Sequence, residues 1–309
     1  VSNYLMRDET YALPSGQKHL LILLIRKVLA SSPHALAGTL EIMRDRLLKL
    51  QGEANQQVGS LNTLISDEDM DDELLDELLE DQEDASLDAD ISVSAEESKA
   101  QPVDLKKLDA EITELTEYIR WARSLGIDTK TRALLQSLDI GFSAIADMGA
   151  AKKVVIFTES RRTQSWLKDF LEGNGYAGQV LTFNGTNKDD ASGHIYQQWL
   201  VDNKYSGRVS GSRQIDLRAA IIDHFRDHAS ILIATEAGAE GLNLQFCSAV
   251  VNFDLPWNPQ RIEQRIGRCH RYGQKHDVVV INFLNERNEA DPRVYELLEQ
   301  KFNLFTGVF

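Results

Sequence analysis

The sequence has few cysteines and no apolar segment long enough to cross a membrane. Cys247 and Cys269 are the only two among 309 residues, so reduced thiols are expected rather than a disulfide framework. Neither has further cysteine or histidine partners at metal-ligand spacing, and no metal site is predicted. The longest strongly apolar run, at 20–25, is followed by Arg26 and Lys27 and is too short to span a bilayer. Because the amino terminus also lacks the basic start and apolar centre of a signal peptide, we expect a cytoplasmic protein with no membrane partner.

Lysine and arginine are absent from one segment, residues 66–97, which contains sixteen acidic residues. The net charge of −15 arises there, because the other 32 acidic residues are balanced by 33 lysines and arginines. The rest of the chain can therefore face a polyanion. We interpret residues 59–101 as an acidic, disordered linker. Two alternatives stay open: an autoinhibitory mimic that competes with nucleic acid, and a tail that binds a partner.

Two apolar stripes flank this linker, one in the segment 1–58 and one in the segment 102–128. Apolar residues recur at spacings of 4, 3, 4 and 3 within 36–50, and at 3, 4, 3 and 4 within 105–119. This pattern predicts two helices packed as an antiparallel pair, with coiled-coil dimerisation between chains as the alternative. Further helices are predicted over 16–31 and 129–148.

Short β-rich runs alternate with helical segments in residues 129–309. Such alternation predicts an α/β fold with a parallel sheet covered by helices on both faces. The predicted strands are 154–158, 179–183, 231–235, 249–253 and 278–284. The predicted helices lie near 160–173, 214–227, 259–268 and 292–304.

The segment 258–277 carries five cations at helical spacing: Arg261, Arg265, Arg268, Arg271 and Lys275. On one continuous helix these cations would share a face. Asn258–Pro259 supplies an N-cap and a first-turn proline, whereas Gly267 helps to end the helix near Arg268. Arg268 and Arg271 then lie at the helix end, where they either cap the last carbonyls or bind phosphate oxygens. A second candidate is the loop 235–243, whose glycines permit tight turns.

Five short segments follow one another in order: VVIFTES (154–160), VLTFNGTN (180–187), ATEAGAEGLNL (234–244), DLPWNPQ (254–260) and Gln264-x-x-x-Arg268-x-x-Arg271-x-Gly273-Gln274. Their order and spacing resemble the second RecA-like lobe of the Swi/Snf-type superfamily-2 helicases. The resemblance is closest to the bacterial, RNA-polymerase-associated type. Residues 11–50 and 104–148 resemble the helical link and protrusion between the two lobes. The resemblance implies a RecA-like fold for 129–309.

The resemblance also implies roles for individual residues. Arg268 and Arg271 would be catalytic arginine fingers that reach ATP held on the first lobe. Gln264, Gly241 and Asn243 would border the nucleotide. The residues implied to line a nucleic-acid track are Thr158, Glu159, Asn184, Gly185, Thr186 and Thr235. The implied partners are DNA, as a duplex, the amino-terminal RecA-like lobe of the same protein, and RNA polymerase or another protein.

No phosphate-binding G-x-x-x-x-G-K-[ST] motif occurs anywhere in the sequence. The residues that hold ATP and Mg²⁺ are therefore expected on an upstream lobe, and the start at Val1, without methionine, indicates an excised fragment. The parent is expected to be a DNA-dependent ATP hydrolase that translocates on DNA. The isolated chain is expected to bind ATP weakly and to hydrolyse none.

The connection between Thr186 and Arg218 is longer than the family pattern and contains aromatic and arginine residues, including Trp199, Tyr205 and Arg208. Two interpretations stay open: stacking on bases, or a helix that packs on its own domain. Three functions also stay open for the whole chain. They are the carboxyl-terminal motor lobe of a translocase, a non-catalytic nucleic-acid- or polymerase-binding module, and a scaffold that recruits a partner.

Overall fold

The computed structural model describes residues 1–5, 7, 10–12, 31–54, 104–239, 241–256 and 258–284. The chain divides into two compact units, Val1–Gly126 and Ile127–Phe309. The acidic segment 59–101 and the helices predicted at 16–31 and 292–304 lie outside the described residues. Among the helices that are described, none is long and apolar enough to cross a membrane.

The first unit contains helices α1 (Ser2–Leu5), α2 (Pro33–Ala54) and α3 (Leu105–Ser124). The apolar stripes of α2 and α3 pack in one core that includes Leu40, Leu47, Leu108 and Leu115, all fully buried. Gln51 near the end of α2 donates to Asp109 near the start of α3, at 3.3 Å. Arg123 near the end of α3 contacts Glu41 early in α2, at 2.5 Å. The two helices therefore run antiparallel, as the sequence predicts.

A buried carboxylate on α3 fixes the amino-terminal residues of this unit. The Glu111 carboxylate accepts hydrogen bonds from the Tyr4 hydroxyl at 2.6 Å and from the backbone amides of Tyr11 and Ala12 at 2.9 and 3.1 Å. Burial and the Glu111 hydrogen bond raise the pKa of Tyr4, which keeps its hydroxyl protonated as a donor. The heptad pattern places Glu111 beside the apolar stripe of α3, but it does not predict these hydrogen bonds to the amino-terminal residues.

The second unit contains five strands, each four residues long. They are β1 (Val154–Phe157), β2 (Val180–Phe183), β3 (Ile231–Ala234), β4 (Ala249–Asn252) and β5 (Val279–Asn282). Their helices are α4 (Thr129–Asp147), α5 (Arg161–Leu171), α6 (Asp190–Asn203), α7 (Arg213–His228), α8 (Glu236–Ala239) and α9 (Pro259–Cys269). All neighbouring strands pair in parallel, in the order β2-β3-β1-β4-β5.

Helices cover both faces of this sheet. Val155 and Phe157 of β1 pack with residues of α6 and α7, whereas Val154 and Ile156 pack with residues of α4 and α5. Successive strand residues point to opposite faces, so alternate residues of one strand enter two separate cores. Every residue of β1, β3 and β4 is buried, which is why these strands read as continuous apolar runs. The predicted α/β class and all five predicted strands are confirmed.

Candidate nucleotide and nucleic-acid interface

Four polar residues follow the carboxyl ends of four adjacent strands. Asn184 follows β2, Thr235 follows β3, Thr158 follows β1, and Asp254 lies two residues beyond β4. Because the strands are ordered β2-β3-β1-β4 and are parallel, these residues form a row along one edge of the sheet. Ligands of open α/β sheets bind at this edge. We call this set of four the carboxyl-edge row.

Asp254 organises one end of the carboxyl-edge row. Its carboxylate accepts hydrogen bonds from the Thr158 hydroxyl at 2.6 Å and the Glu159 amide at 3.0 Å, and it forms an ion pair with Lys130 at 2.7 Å. Thr158 is fully buried and Asp254 is 6% exposed. The Thr158 hydroxyl therefore bonds inward, and direct contact between this side chain and nucleic acid, which the resemblance implies, does not fit its position. Glu159, by contrast, is only half-buried.

The other end of the row is a tight polar turn. The Asn184 side-chain oxygen accepts hydrogen bonds from the amides of Thr186 at 3.2 Å and Asn187 at 2.8 Å. Asn187 takes a positive φ of 46°, which asparagine tolerates better than most residues. Arg161 donates to the Thr186 hydroxyl at 2.8 Å. Asn184 and Thr186 are half-buried and Gly185 is exposed, so the predicted track residues of this turn reach the surface.

Gly238 brings the loop after β3 against the end of β2. A Cβ on Gly238 would lie 2.7 Å from the Phe183 carbonyl oxygen and 2.7 Å from the Asn184 Cα, so no side chain fits. Thr235 begins the same loop, and its hydroxyl accepts from the Gly238 amide at 3.4 Å. Thr235 is 8% exposed. Gln164 of α5 ties the strands together here, since its amide donates to carbonyls of β2 and β3 at 3.0 and 2.8 Å.

The glycine-rich loop continues beside the end of α9. Gly241 takes a positive φ of 73° and has open space around it, and both Gly241 and Asn243 are exposed. The Leu244 amide donates to the Arg268 carbonyl at 2.9 Å. This bond places two of the three residues implied for nucleotide binding next to the implied catalytic arginines. We call the exposed residues Gly241, Asn243 and 270–273, together with the half-buried Arg268, the α9 end surface.

Arg265 lies on the inner side of α9 and is 1% exposed. Its guanidinium pairs with Glu236 at 2.6 Å, and donates to the Asn252 side chain at 3.0 Å and to the Asp254 carbonyl at 2.9 Å. It also lies 4.9 Å from the centre of the Phe157 ring. Arg265 therefore connects α9 to α8 and to the ends of β1 and β4.

The five cations do not share one exposed face, in agreement with the prediction that the helix ends near Arg268. The helix begins at its predicted cap, where Asn258 accepts from the Gln260 amide at 3.0 Å, and ends at Cys269, so Arg271 lies beyond it. Arg265 faces inward. The structure gives the half-buried Arg268 side chain no hydrogen-bond or ion-pair partner among the described residues, and Arg271 is exposed with one contact, from its Nε to the Gly267 carbonyl at 3.2 Å.

Gln264 and Tyr272 add exposed groups near the two open arginines, and Tyr272 has 105% of its reference exposure. The two cysteines are free thiols and fully buried. A hydrogen bond with Cys247, together with burial, raises the pKa of Cys269 well above its usual range. Because thiolate is the reactive form of cysteine, burial and the raised pKa both lower the reactivity of Cys269.

The structure thus separates the predicted site residues into the carboxyl-edge row with its turn, and the α9 end surface. It also adds Asp254, Gln164 and Glu236, to which the sequence analysis assigned no role. One signal for Asp254 was available, because it is an acidic residue just after a strand that is buried throughout. For Arg265 the signal was the helical spacing of Ile262, Ile266 and Cys269, which marks the inner face on which Arg265 lies.

The chain is similar to known proteins over part of its length. Residues 130–273 match the family described as "Helicase conserved C-terminal domain". The chain is 40% identical over 156 residues to the uncharacterized ATP-dependent helicase YqhH of Bacillus subtilis (strain 168), a match that covers 50% of this chain and 23% of that protein. It is 45% identical over 76 residues to the RNA polymerase-associated protein RapA of Serratia proteamaculans (strain 568), covering 24% of this chain and 8% of that protein.

Among solved structures, the C-terminal part of the Fun30 ATPase domain is similar at 18% identity and a TM-score of 0.38, covering 92% of this chain and 86% of that chain. A TM-score of this size supports no conclusion about function. The matches to YqhH and RapA span less than a quarter of the length of either relative.

Proposed function

We propose that this chain, whose residues 130–273 match the helicase conserved C-terminal domain, is the second motor lobe of a bacterial Swi/Snf-type, ATP-dependent DNA translocase. In this role it supplies arginine fingers to ATP bound on a first lobe, and it holds the backbone of duplex DNA at the surface turn 184–186 beside its carboxyl-edge row.

One observation carries the proposal: Arg265 is buried, whereas Arg268 and Arg271 of the same segment are accessible. Arg265 is buried and fully partnered, so it fixes α9 to the sheet. Arg268 has no partner among the described residues, and Arg271 is exposed. A guanidinium held on a rigid element and left unpaired suits planar recognition of phosphate oxygens from another molecule or lobe.

The proposed chemistry is electrostatic. In phosphoryl transfer, negative charge develops on the equatorial oxygens of the γ-phosphate, and a positioned arginine stabilises that charge. Arg268 and Arg271 would supply it, while Gln264, Gly241 and Asn243 border the nucleotide. The described residues contain no group of three or more carboxylate, histidine or cysteine side chains that could hold a metal. We assign the ligands for Mg²⁺ to the first lobe.

The proposed nucleic-acid contacts use the exposed part of the carboxyl edge. Gly185, Thr186 and Glu159 reach the surface, where Gly185 offers its backbone amide and Thr186 its hydroxyl. The Glu159 carboxylate has the same sign of charge as phosphate, so Glu159 would border the track without binding the backbone phosphates. Thr158 and Thr235 are buried, so they position these loops. Contacts from backbone amides and hydroxyls to phosphate fix register on a strand without reading its sequence. This assignment favours a protein that moves along DNA independently of sequence.

The proposal is tested by comparing the chain alone with the chain joined to an ATP-binding first lobe. We expect the chain alone to bind duplex DNA with an affinity that falls steeply as salt rises, because phosphate contacts release counterions. We expect no ATP hydrolysis by the chain alone and DNA-stimulated hydrolysis by the joined protein. A joined protein that binds ATP and DNA but shows no stimulation would contradict the motor assignment.

A non-catalytic binding module is the second candidate. Such a module would use the same surface groups, Thr186 and Arg271 among them, without a part in hydrolysis. The name of the relative RapA suggests RNA polymerase as a partner of such a module. Salt-insensitive binding to a protein partner, with no binding to duplex DNA, would support this candidate over the motor lobe.

A further inference from the structure

Two histidines lie four residues apart at the end of α7. His224 and His228 are the only two of the seven histidines in the sequence with this spacing. Residues four apart on a helix lie on one face, and the centres of the two imidazole rings are 4.9 Å apart, with their planes tilted by 49°. His224 is half-buried and His228 is exposed, so an ion from solvent can reach the pair.

The ring nitrogens of this pair are available to a ligand. Neither ring forms a hydrogen bond or an ion pair with another of the described residues. Burial, together with the neighbouring His228, lowers the pKa of His224. This ring is therefore neutral at neutral pH and keeps a lone pair on one nitrogen. The neutral imidazole is the form of histidine that binds metal ions.

The separation of the rings fits two imidazoles that share one metal ion. With metal–nitrogen bonds of about 2.1 Å and an angle of about 90–110° at the ion, two ring centres lie about 4.5–5.5 Å apart. The separation of 4.9 Å falls within this range. Two histidines at the same helical spacing supply zinc ligands in the H-E-x-x-H motif, where the glutamate is the catalytic base. Phe225 stands in place of that glutamate, so the arrangement suits binding and not hydrolysis.

The backbone that presents the two rings is fixed by packing. Phe225, between them, is fully buried and its ring centre lies 5.5 Å from that of Phe246. Asp223 accepts a hydrogen bond from the Trp199 indole at 2.8 Å, and Trp199 is 6% exposed. The helix α6 therefore packs on its own domain through Trp199, in agreement with one of the two sequence interpretations. A preorganised pair binds an ion at a lower entropic cost than a mobile one.

The cations described at this end of α7 have partners of their own. Arg226 pairs with Asp223 at 2.9 Å and with Asp227 at 3.0 Å, and Arg208 pairs with Asp223 at 2.6 Å. The Lys153 amino group donates to two backbone carbonyls at the end of the helix. These pairings reduce the repulsion that a metal ion on the two imidazoles would meet. The negative end of the helix dipole also favours a cation here.

We propose that His224 and His228 bind one divalent transition-metal ion of the class that prefers imidazole, such as Zn²⁺, with water completing its coordination. The described residues contain no group of three or more metal-binding side chains, so the protein supplies two ligands and the ion exchanges with solvent. The bound ion would link the last two turns of α7. The proposal does not rest on the motor function, because α7 leads into the start of β3, at the opposite edge of the sheet from the carboxyl-edge row.

The test is titration of the whole chain, without an affinity tag, with ZnCl₂ by isothermal titration calorimetry. We expect one ion per chain. His228→Ala is expected to weaken Zn²⁺ affinity about tenfold or more, since loss of even an outer-shell partner of a metal ligand costs about that much. His224→Ala is expected to have the same effect. MgCl₂ is expected to give no binding to the pair, because Mg²⁺ prefers oxygen ligands.

His194→Ala is the matched control. His194 is an exposed histidine on α6 with Asp190 and Gln198, and no second histidine, four residues away. Its replacement is expected to leave Zn²⁺ affinity unchanged. Because His228 is exposed, His228→Ala is expected to unfold at the parent temperature when no metal is present. ZnCl₂ is expected to raise the unfolding temperature of the parent and of His194→Ala more than that of His228→Ala, since an ion that binds the folded chain stabilises it.

The proposal fails if His224→Ala and His228→Ala both bind Zn²⁺ as tightly as the parent chain, because the ion is then held elsewhere. Half an ion per chain, together with a dimer in sedimentation, also contradicts it, since the ion would then lie between two copies. Failure of the motor function gives a different result: the joined protein shows no DNA-stimulated ATP hydrolysis, whereas Zn²⁺ binding, measured without DNA or ATP, is unaffected.

Discussion

Arg265 and Arg268 stand three residues apart on the same helix and have opposite surroundings. Arg265 is 1% exposed and bonds to Glu236, Asn252 and the Asp254 carbonyl, whereas the half-buried Arg268 has no partner among the described residues. The comparison shows that one residue type can fix a helix to its sheet and, one turn later, leave a charge available for an outside anion. Substitutions along α9 are therefore expected to lower either the stability of the fold or its function, depending on the residue that is changed.

The largest effect on stability is expected at Arg265. Arg265→Met removes the buried charge and leaves the Glu236 carboxylate, the Asn252 amide and a backbone carbonyl without their donor. Breaking a buried pair in this way costs about 3–5 kcal/mol of unfolding free energy. Denaturant unfolding followed by circular dichroism measures the loss.

Arg268→Ala is the matched control on the same helix. It is expected to change the unfolding free energy by about 0.5 kcal/mol or less, as surface substitutions do. Equal losses for the two variants would show that Arg268 is also structural, and the contrast along α9 would not hold.

A smaller effect on the unfolding free energy is expected when Gly238 and Gly267, whose surroundings differ, are each replaced by alanine. A methyl group on Gly238 would meet the backbone of β2 at 2.7 Å, whereas one on Gly267, within α9, would meet nothing within 4 Å. Gly238→Ala is expected to cost about 1–3 kcal/mol, because the loop must move away from the strand. Gly267→Ala is expected to stabilise α9 by about 0.5–1 kcal/mol, since alanine favours helix more than glycine. Thermal unfolding of both variants tests the difference, and a stable Gly238→Ala chain would contradict the described contact.

Thr158 and Thr186 extend the comparison to the carboxyl edge. Thr158→Val removes the donor of a fully buried hydroxyl and is expected to cost about 1–3 kcal/mol of unfolding free energy. Thr158→Val is expected to lower DNA binding only to the extent that less of the protein is folded. Thr186→Val is expected to weaken DNA binding with a smaller loss of stability, because Thr186 reaches the surface. Fluorescence titration at a temperature where both variants are folded separates the two outcomes.

The smallest effect on stability is expected from the titration of the Asp216 carboxyl at acid pH. Hydrogen bonds from Ser210 and Gly211 lower the pKa of Asp216 in the folded chain. A carboxyl whose folded pKa lies below its unfolded value stabilises the fold at neutral pH, and this contribution is lost as pH falls below about 4. Asp216→Asn should reduce the acid dependence of the unfolding temperature between about pH 5 and 3. If the unfolding temperature of Asp216→Asn depends on pH as strongly as that of the parent chain, Asp216 is not the residue that stabilises the loop between α6 and α7, residues 204–212.

The sequence predicted the elements of the fold more completely than the contacts of the site. The five strands were predictable because strands buried on both faces, such as β1 and β3, are short apolar runs separated by helical segments. The antiparallel pair of α2 and α3 was predictable from its heptad spacing. These patterns depend only on which neighbours along the chain are apolar.

The sequence analysis did not predict that Arg265 points inward. Its position on the inner face of α9 favours burial, but its charge favours exposure, and the sequence alone does not decide between them. Its partners come from positions 236, 252 and 254, which local periodicity does not relate to it. The same limit applies to Thr158, which looks like a free hydroxyl at a strand end until Asp254 is placed beside it. Contacts between residues distant in sequence therefore decide which polar groups remain open.

The central claim, that Arg268 and Arg271 act on ATP held by another lobe, is tested most directly by hydrolysis and binding measured on the same variants. In the chain joined to its first lobe, Arg271→Ala is expected to lower DNA-stimulated hydrolysis by about 10³-fold or more, the contribution of an arginine finger. ATP binding is expected to stay within a few fold of the parent, and the unfolding temperature is expected not to change. Hydrolysis at the parent rate in both Arg268→Ala and Arg271→Ala would contradict the account.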